Sequence, residues 1–354
     1  MLTYKELKQL NHEGKLFDYI TSPEILDIAY NQTQKGSPKH KRPAVRFRMD
    51  EAANLKEISK AVKQQSWKPK GYYKFEIHDP KHRIIFAPAY EDKIVHHLLY
   101  QVLREFYEPK FIYDSFSCIR NKGNQRAVAR LQQHYKNASK SYEEVHLVKI
   151  DIKKFFHTIP REILKLVYAQ DIKCIRTLKL LYTIIDSSPG EIGLPLGCVT
   201  SQLSANVIMN VFDQFAKRVL KVKHYLRYAD DIFMLLPTKQ ESDLVLRESK
   251  KFIQESLGMD FAEGKCFTTR LKSSQSKPRA VVGLGYKIYP DFILMKSFNK
   301  RRVIRSLQKY RCKPCAANRN SLIAYNSYLR SCNSYNFRKQ HFKEIDIHDI
   351  FFRK

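Results

Sequence analysis

Three aspartates stand where a folding chain ordinarily avoids charge. Asp151 interrupts the apolar run VHLVKIDIKKFF, and Asp230 and Asp231 sit between the short apolar runs HYLRYA and IFMLL. Burial disfavours a charged carboxylate, and a neighbouring like charge raises the cost. Divalent cations remove the conflict. Two ions about 4 Å apart activate an attacking hydroxyl and stabilise a leaving pyrophosphate, and hard oxygen donors select Mg2+, with Mn2+ as a substitute. The main-chain carbonyl of Ile152 is a further candidate ligand, because a residue next to Asp151 on a strand presents backbone oxygen near the same edge. The competing reading of Asp230 and Asp231 is a pair of ordinary turn acids. Their context favours metal chemistry: a strand acid upstream, a Gly-containing loop and a helix in between, and apolar strands on either side of the bend.

Such acids need elements to hold them. Alternation that becomes continuously apolar around Asp151 predicts a central strand over 145–156, and the runs flanking Asp230 and Asp231 predict a hairpin with both acids at its bend. Residues 1–30 have helical spacing, NQTQKGSPKHKRP (31–43) reads as a loop or arm, and Ala53, Leu55, Ile58 and Val62 predict a helix over 50–65. KFEIHDPKHRIIFAP (74–88) reads as a hairpin turning at Asp79 and Pro80, with a basic tip of Lys81, His82 and Arg83. Ile94, Val95, Leu98, Leu99, Val102, Leu103 and Phe106 define a helix with a broad buried face, on which His96 and His97 read as packing or surface residues. Arg120, Lys122 and Arg126 surround Gly123 just ahead of another helix, a combination that suits phosphate and equally suits a solvated loop. A helical stretch over 161–185, the loop SSPGEIGLPLGCVTS, a helix from about Gln202, a helix over 241–257, a hairpin at VVGLGYKIYP and a basic helical C-terminal region complete the pattern.

Composition narrows the partners. Among 354 residues, 64 Lys and Arg against 35 Asp and Glu give a formal charge of +29, which favours binding to a polyanion. The basic residues are spread along the chain rather than gathered beside an apolar span, so membrane binding is not expected. The start lacks the features of a signal peptide and no run of 18 apolar residues occurs, so a cytoplasmic location is expected. Seven Cys fit reduced thiols better than a disulfide framework. Cys312 and Cys315 form one CxxC, with Cys332 and His341 beyond it, too weak a pattern to assign a metal.

The blocks in order resemble the reverse transcriptase family over roughly residues 72–290. KIDIKKFFHTIP resembles its first catalytic block, GLPLGCVTSQLSANVIMN its template and nucleotide block, YADDIFML its metal-binding hairpin, and VVGLGYKI its primer-grip hairpin. The resemblance implies Asp151, Asp230 and Asp231 as the catalytic triad, Phe156 as the steric gate against a ribose 2′-hydroxyl, and Arg83 as a contact of the incoming triphosphate. It places Lys265 near the leaving pyrophosphate and Leu196, Gly197 and Gln202 in the nucleotide pocket. Lys81, Arg120, Lys122, Tyr228, Gly283 and Gly285 are the expected contacts with nucleic acid. The implied fold is α+β, a right-hand polymerase whose palm is a short antiparallel sheet backed by helices. The expected divisions are an N-terminal segment (1–40), fingers (41–147), a palm (148–290) with a finger insertion near 161–192, and a small helical thumb (291–354).

Leu196, Ser201 and Gln202 in GLPLGCVTSQ are similar to the pattern of reverse transcriptases from diversity-generating retroelements. That resemblance implies adenine-directed errors during copying of a template-repeat RNA from a primer with dNTPs into cDNA, and a small basic oligomeric accessory protein as a partner. No recognisable maturase, endonuclease or nuclease block follows residue 290, which speaks against a multifunctional mobile-intron enzyme. The rivals are a retron, abortive-infection or group II intron-like reverse transcriptase, and a non-catalytic RNA-binding protein on the same scaffold.

Overall fold

A computed structural model describes residues 1–36, 40–78, 82–273 and 275–342. Its backbone divides into two units: Met1–Tyr113, Ile152–Phe215 and Lys250–Glu263 in the first, and Asp114–Asp151, Ala216–Ser249 and Gly264–Lys354 in the second.

In the first unit, α1 (Tyr4–His12), α2 (Leu16–Ile20), α3 (Pro23–Thr33), α4 (Arg42–Arg48) and α5 (Glu51–Lys63) precede an antiparallel hairpin of β1 (Tyr72–Ile77) and β2 (Arg83–Pro88), followed by α6 (Tyr90–Tyr107). Thr3 and Glu6 form a reciprocal capping box that satisfies backbone donors at the start of α1. Both ends of the expected loop over 31–43 are helical, while residues 37–39 within it lie outside the described residues. Helix α3 carries on to Thr33 and α4 begins at Arg42, because Pro43 falls in a first helical turn, where no amide hydrogen is required. All seven apolar residues expected on α6 are buried, and α3 packs against this helix. His96 and His97 are buried with them. The His96 ring shares a hydrogen bond of 2.7 Å with the Thr200 hydroxyl. Burial pushes His96 down to about 3 and His97 to about 4, so both pack as neutral rings.

The strand expected over 145–156 ends at Asp151. Lys154 adopts a left-handed conformation, and the short helix α8 (Phe155–Thr158) follows, so Phe155 and Phe156 diverge through helical rather than strand geometry. The stretch over 161–185 is two helices, α9 (Arg161–Asp171) and α10 (Ile175–Asp186). Asn11 holds the break: its side chain donates to the Asp171 carbonyl at 2.9 Å and accepts the Lys173 amide at 2.8 Å. Helix α11 (Val199–Arg218) begins three residues before its expected start and runs on into the second unit from Ala216.

The second unit is built on a four-stranded antiparallel sheet in the order β4 (His224–Tyr228), β5 (Asp231–Leu236), β3 (Val145–Asp151), β6 (Phe267–Lys272). Helix α7 (Asn124–Ser141) supplies Val128, Leu131 and Tyr135 to a core shared with Leu147, Leu226, Phe233, Leu235 and Leu271. Burying each such side chain contributes roughly 1.5–3 kcal/mol. Helix α12 (Lys239–Leu257) starts in this unit and ends in the first. The VVGLGYKIYP hairpin forms β7 (Val281–Gly283) and β8 (Tyr286–Ile288), joined through left-handed Leu284 and Gly285. A third strand, β9 (Ile293–Met295), joins them without having been expected. Helices α13 (Ser297–Cys312), α14 (Ala316–Arg330) and α15 (Tyr335–His341) follow, with Val303, Leu307, Leu322 and Leu329 in their own small core. No helix among the described residues is long and apolar enough to cross a membrane.

Candidate active site

The register of β3 and β5 sets Asp151 opposite Asp231, and β4 sets Tyr228 opposite Asp231, so the β4–β5 turn carries Asp230 beside both. Ala229 in that turn has φ +55°, a left-handed conformation that costs a residue with a Cβ about 1–2 kcal/mol. Arg227 steadies it. This arginine is completely buried, and its guanidinium donates to the Ala229 carbonyl at 3.2 Å and to the Ser115 hydroxyl at 2.9 Å. Its backbone amide donates to the Asp114 carbonyl, and its carbonyl accepts from Phe116. Sequence reasoning passed over Arg227 as one residue of a strand. A single charged residue inside HYLRYA was the available signal.

The electrostatics of the three acids are uneven. Burial, and after it the charges of Asp231 and Asp151, push the Asp230 carboxyl up to about 6. Asp231 is ion-paired with Lys149, whose ammonium also donates to the Ile150 carbonyl at 3.3 Å and lies 4.2 Å from the centroid of the Phe233 ring. Lys149 is only 7% exposed. It lies two residues before Asp151 and therefore on the same face of β3, the spacing by which a sequence reading could have found it. On the other side, the Asp151 carboxylate is 3.2 Å from the Lys265 ammonium. Its backbone is braced by Cys266, whose sulfur accepts the Asp151 amide and whose thiol donates to the Asp151 carbonyl, both at 3.4 Å. Asp151 and Asp231 are thus each drawn to a lysine, while Asp230 carries most of the burden of burial.

The other expected residues of the second unit divide by role. Lys122 turns inward, donating to the Ser115 carbonyl at 2.9 Å with its ammonium 5.2 Å from the Phe116 ring centroid, whereas Arg120 is exposed. Tyr228 is half-buried, and burial pushes its hydroxyl upward. A Cβ on Gly283 would come within 2.3 Å of the Phe233 ring, so this position demands glycine for close approach. Gly285 needs it for a φ of +91°, and the carboxamide of Asn299 donates to its carbonyl at 3.0 Å.

In the first unit, the Leu196 carbonyl accepts the Phe86 amide of β2 at 2.9 Å, and a Cβ on Gly197 would lie 2.9 Å from Ile85. The GLPLG loop is therefore tied to the strand that opens with Arg83, itself exposed. Phe155 is buried, Phe156 is half-buried, and Gln202 lies half-buried on α11. Ile152 buries its side chain and bridges Phe261. Lys81, with Asp79 and Pro80 of the expected turn, lies outside the described residues.

Residues 68–288 match the family described as reverse transcriptase (RNA-dependent DNA polymerase). The chain is 26% identical over 221 residues to the retron Ec73 reverse transcriptase of Escherichia coli, a match that covers 56% of this chain and 67% of that protein. A structure of apo telomerase from Candida tropicalis, truncated from its C-terminal domain, is similar with a TM-score of 0.45 and 12% identity, covering 68% of this chain and 59% of the telomerase. The chain thus spans less than two thirds of that telomerase. Since the family match takes in more than half of the chain, including β3, the β4–β5 turn and the β7–β8 hairpin, this protein belongs to the reverse transcriptase family.

Proposed function

We propose that this chain is the polymerase of a diversity-generating retroelement, copying a template-repeat RNA into cDNA with errors concentrated opposite template adenines. The observation that carries the polymerase reading is the register that sets Asp151 opposite Asp231 at one end of the β4–β5–β3 sheet, with Asp230 in the adjoining turn. Their donor set fits divalent metal: three hard carboxylates, one of them raised to about 6 by burial and by the other two, hold more negative charge than the two lysines offset. Asp151, Asp230 and Asp231, with the Ile152 carbonyl, would hold two Mg2+, for which Mn2+ can substitute. When bound, such ions activate a primer 3′-hydroxyl and stabilise the pyrophosphate that leaves the dNTP.

The residues of the chain supply positioning. Arg227 and Cys266 fix the backbones that carry the acids, Lys149 orients Asp231, and Lys265 offers an exposed cation beside Asp151 for a departing phosphate. The family resemblance supplies Arg83 for the triphosphate, Phe156 for sugar selection, and Leu196, Gly197 and Gln202 for the nascent base pair. An apolar Leu196 offers no amide to that pair and so supports a less stringent pocket. In this reading fingers occupy 41–147 and 161–192, the palm the rest of 148–290, and the thumb 291–354. A small basic oligomeric accessory protein binds the polymerase and helps it use the RNA.

A second reading, a retron reverse transcriptase, is favoured by the similarity to the Ec73 enzyme. Purified protein with primed RNA, dNTPs and Mg2+, with and without the candidate accessory protein, tests both. Sequenced cDNA with errors concentrated opposite adenines supports the retroelement; accurate cDNA removes it and leaves the retron reading.

A further inference from the structure

The geometry points to a second metal site, for a transition ion of the zinc class, on the β1–β2 hairpin at Glu76, His78 and His82. The ladder pairs Glu76 with Ile84 and ends with Ile77 opposite Arg83, so His78 and His82 are the residues that follow β1 and precede β2. Both histidines therefore flank Glu76 at the end of the hairpin, where their rings and its carboxylate meet. Among the described residues, this is the group of His, Cys, Asp and Glu in which three ligand atoms lie within 4.8 Å of one another. The Glu76 carboxylate oxygen is 2.8 Å from His82 Nε2 and 3.9 Å from His78 Nε2. The two imidazoles stack with centroids 5.0 Å apart and an angle of 25° between their planes.

One carboxylate and two imidazoles form a donor set that suits Zn2+, Ni2+ or Cu2+ and not Mg2+, which prefers oxygen alone. It is therefore chemically distinct from the all-carboxylate cluster on the sheet of the second unit. All three residues are exposed, so an ion enters without rearrangement of a core and keeps water in its remaining positions. Its effect is to clip two strands that form a sheet of only two, an element of marginal stability by itself, next to Arg83.

Calorimetric titration of the full chain with Zn2+, in excess Mg2+, tests the site in a Cys312→Ser, Cys315→Ser background that removes the paired thiols. The expected result is one Zn2+ equivalent whose affinity falls about tenfold or more with His78→Ala and His82→Ala together, and also falls with Glu76→Gln. Equal stoichiometry and affinity in all of these proteins overturns the site. Should the thiol variant fail to fold, Cu2+ added to the unaltered chain gives an independent reading. Electron paramagnetic resonance should show coupling to two imidazole nitrogens that vanishes in the double histidine variant, and a signal unchanged by that substitution rejects the proposal.

Discussion

Two hairpins of this chain carry clusters of ionisable residues under opposite conditions. In β4–β5 the flanking positions are buried almost throughout, down to a completely enclosed Arg227, whereas β1–β2 leaves Tyr73 63% and Phe75 45% exposed. Charge in the first hairpin and on the adjoining β3 is costly, and each carboxylate has a visible consequence: a lysine partner for Asp151 of β3, another for Asp231, and a raised carboxyl at Asp230. Charge in the second costs little, since exposed pairs contribute about 0–1 kcal/mol either way. Partial burial of three like charges argues for function at the aspartates, while at Glu76, His78 and His82 only the convergence of donor atoms does.

Stability measurements can break this comparison. The largest effect is expected at Gly283→Ala, where the added methyl meets the Phe233 ring in the core beneath β5; thermal unfolding should show a loss of about 2–3 kcal/mol. Lys149→Met should follow, destabilising the metal-free protein by about 1–2 kcal/mol because Asp231 loses its buried partner but stays partly exposed. Added Mg2+ should narrow the gap from wild type, since a cation then balances Asp231 in place of the ammonium; a gap that ignores Mg2+ would show that Lys149 acts only by packing.

Acid unfolding extends the test to the buried face of α6. The rings of His96 and His97 titrate at about 3 and about 4 in the folded chain against 6.5 ordinarily, so below pH 6.5 the unfolded chain binds protons that the folded one does not. Stability should therefore fall as pH drops through that window. His96→Gln should make the fall between pH 6 and pH 5 shallower by about 1 kcal/mol in denaturant titrations. At the small end, Tyr73→Ser on the exposed hairpin should change stability by no more than about 0.5 kcal/mol. A loss comparable to that at Gly283 would mean that β1–β2 is buried by something other than this chain.

Much of this site was legible in the residues because an acid inside an apolar run is a local signal. Asp151 on its strand and Asp230 and Asp231 at a bend needed nothing beyond the alternation of their neighbours. Lys149 and Arg227 left only faint signals in the residues, a charge two places before Asp151 and a lone charge in HYLRYA, because their meaning depends on which strand lies alongside and which loop closes below. The end of β3 at Asp151 was hidden for a similar reason: IKKFF has a strand-like pattern, and only the left-handed turn at Lys154 ends the extended run. Likewise Asn11, far away in sequence, divides α9 from α10 where periodicity alone runs on.

The most direct test of the central claim is primer extension on an RNA template with Mg2+, comparing wild type with Asp230→Asn. Asparagine keeps the shape of the side chain and removes the charge that the metals require. The expected variant folds at least as stably as wild type and extends at a rate lower by roughly a thousandfold, equivalent to several kcal/mol of transition-state stabilisation. Extension at near wild-type rate by the folded variant would contradict that claim.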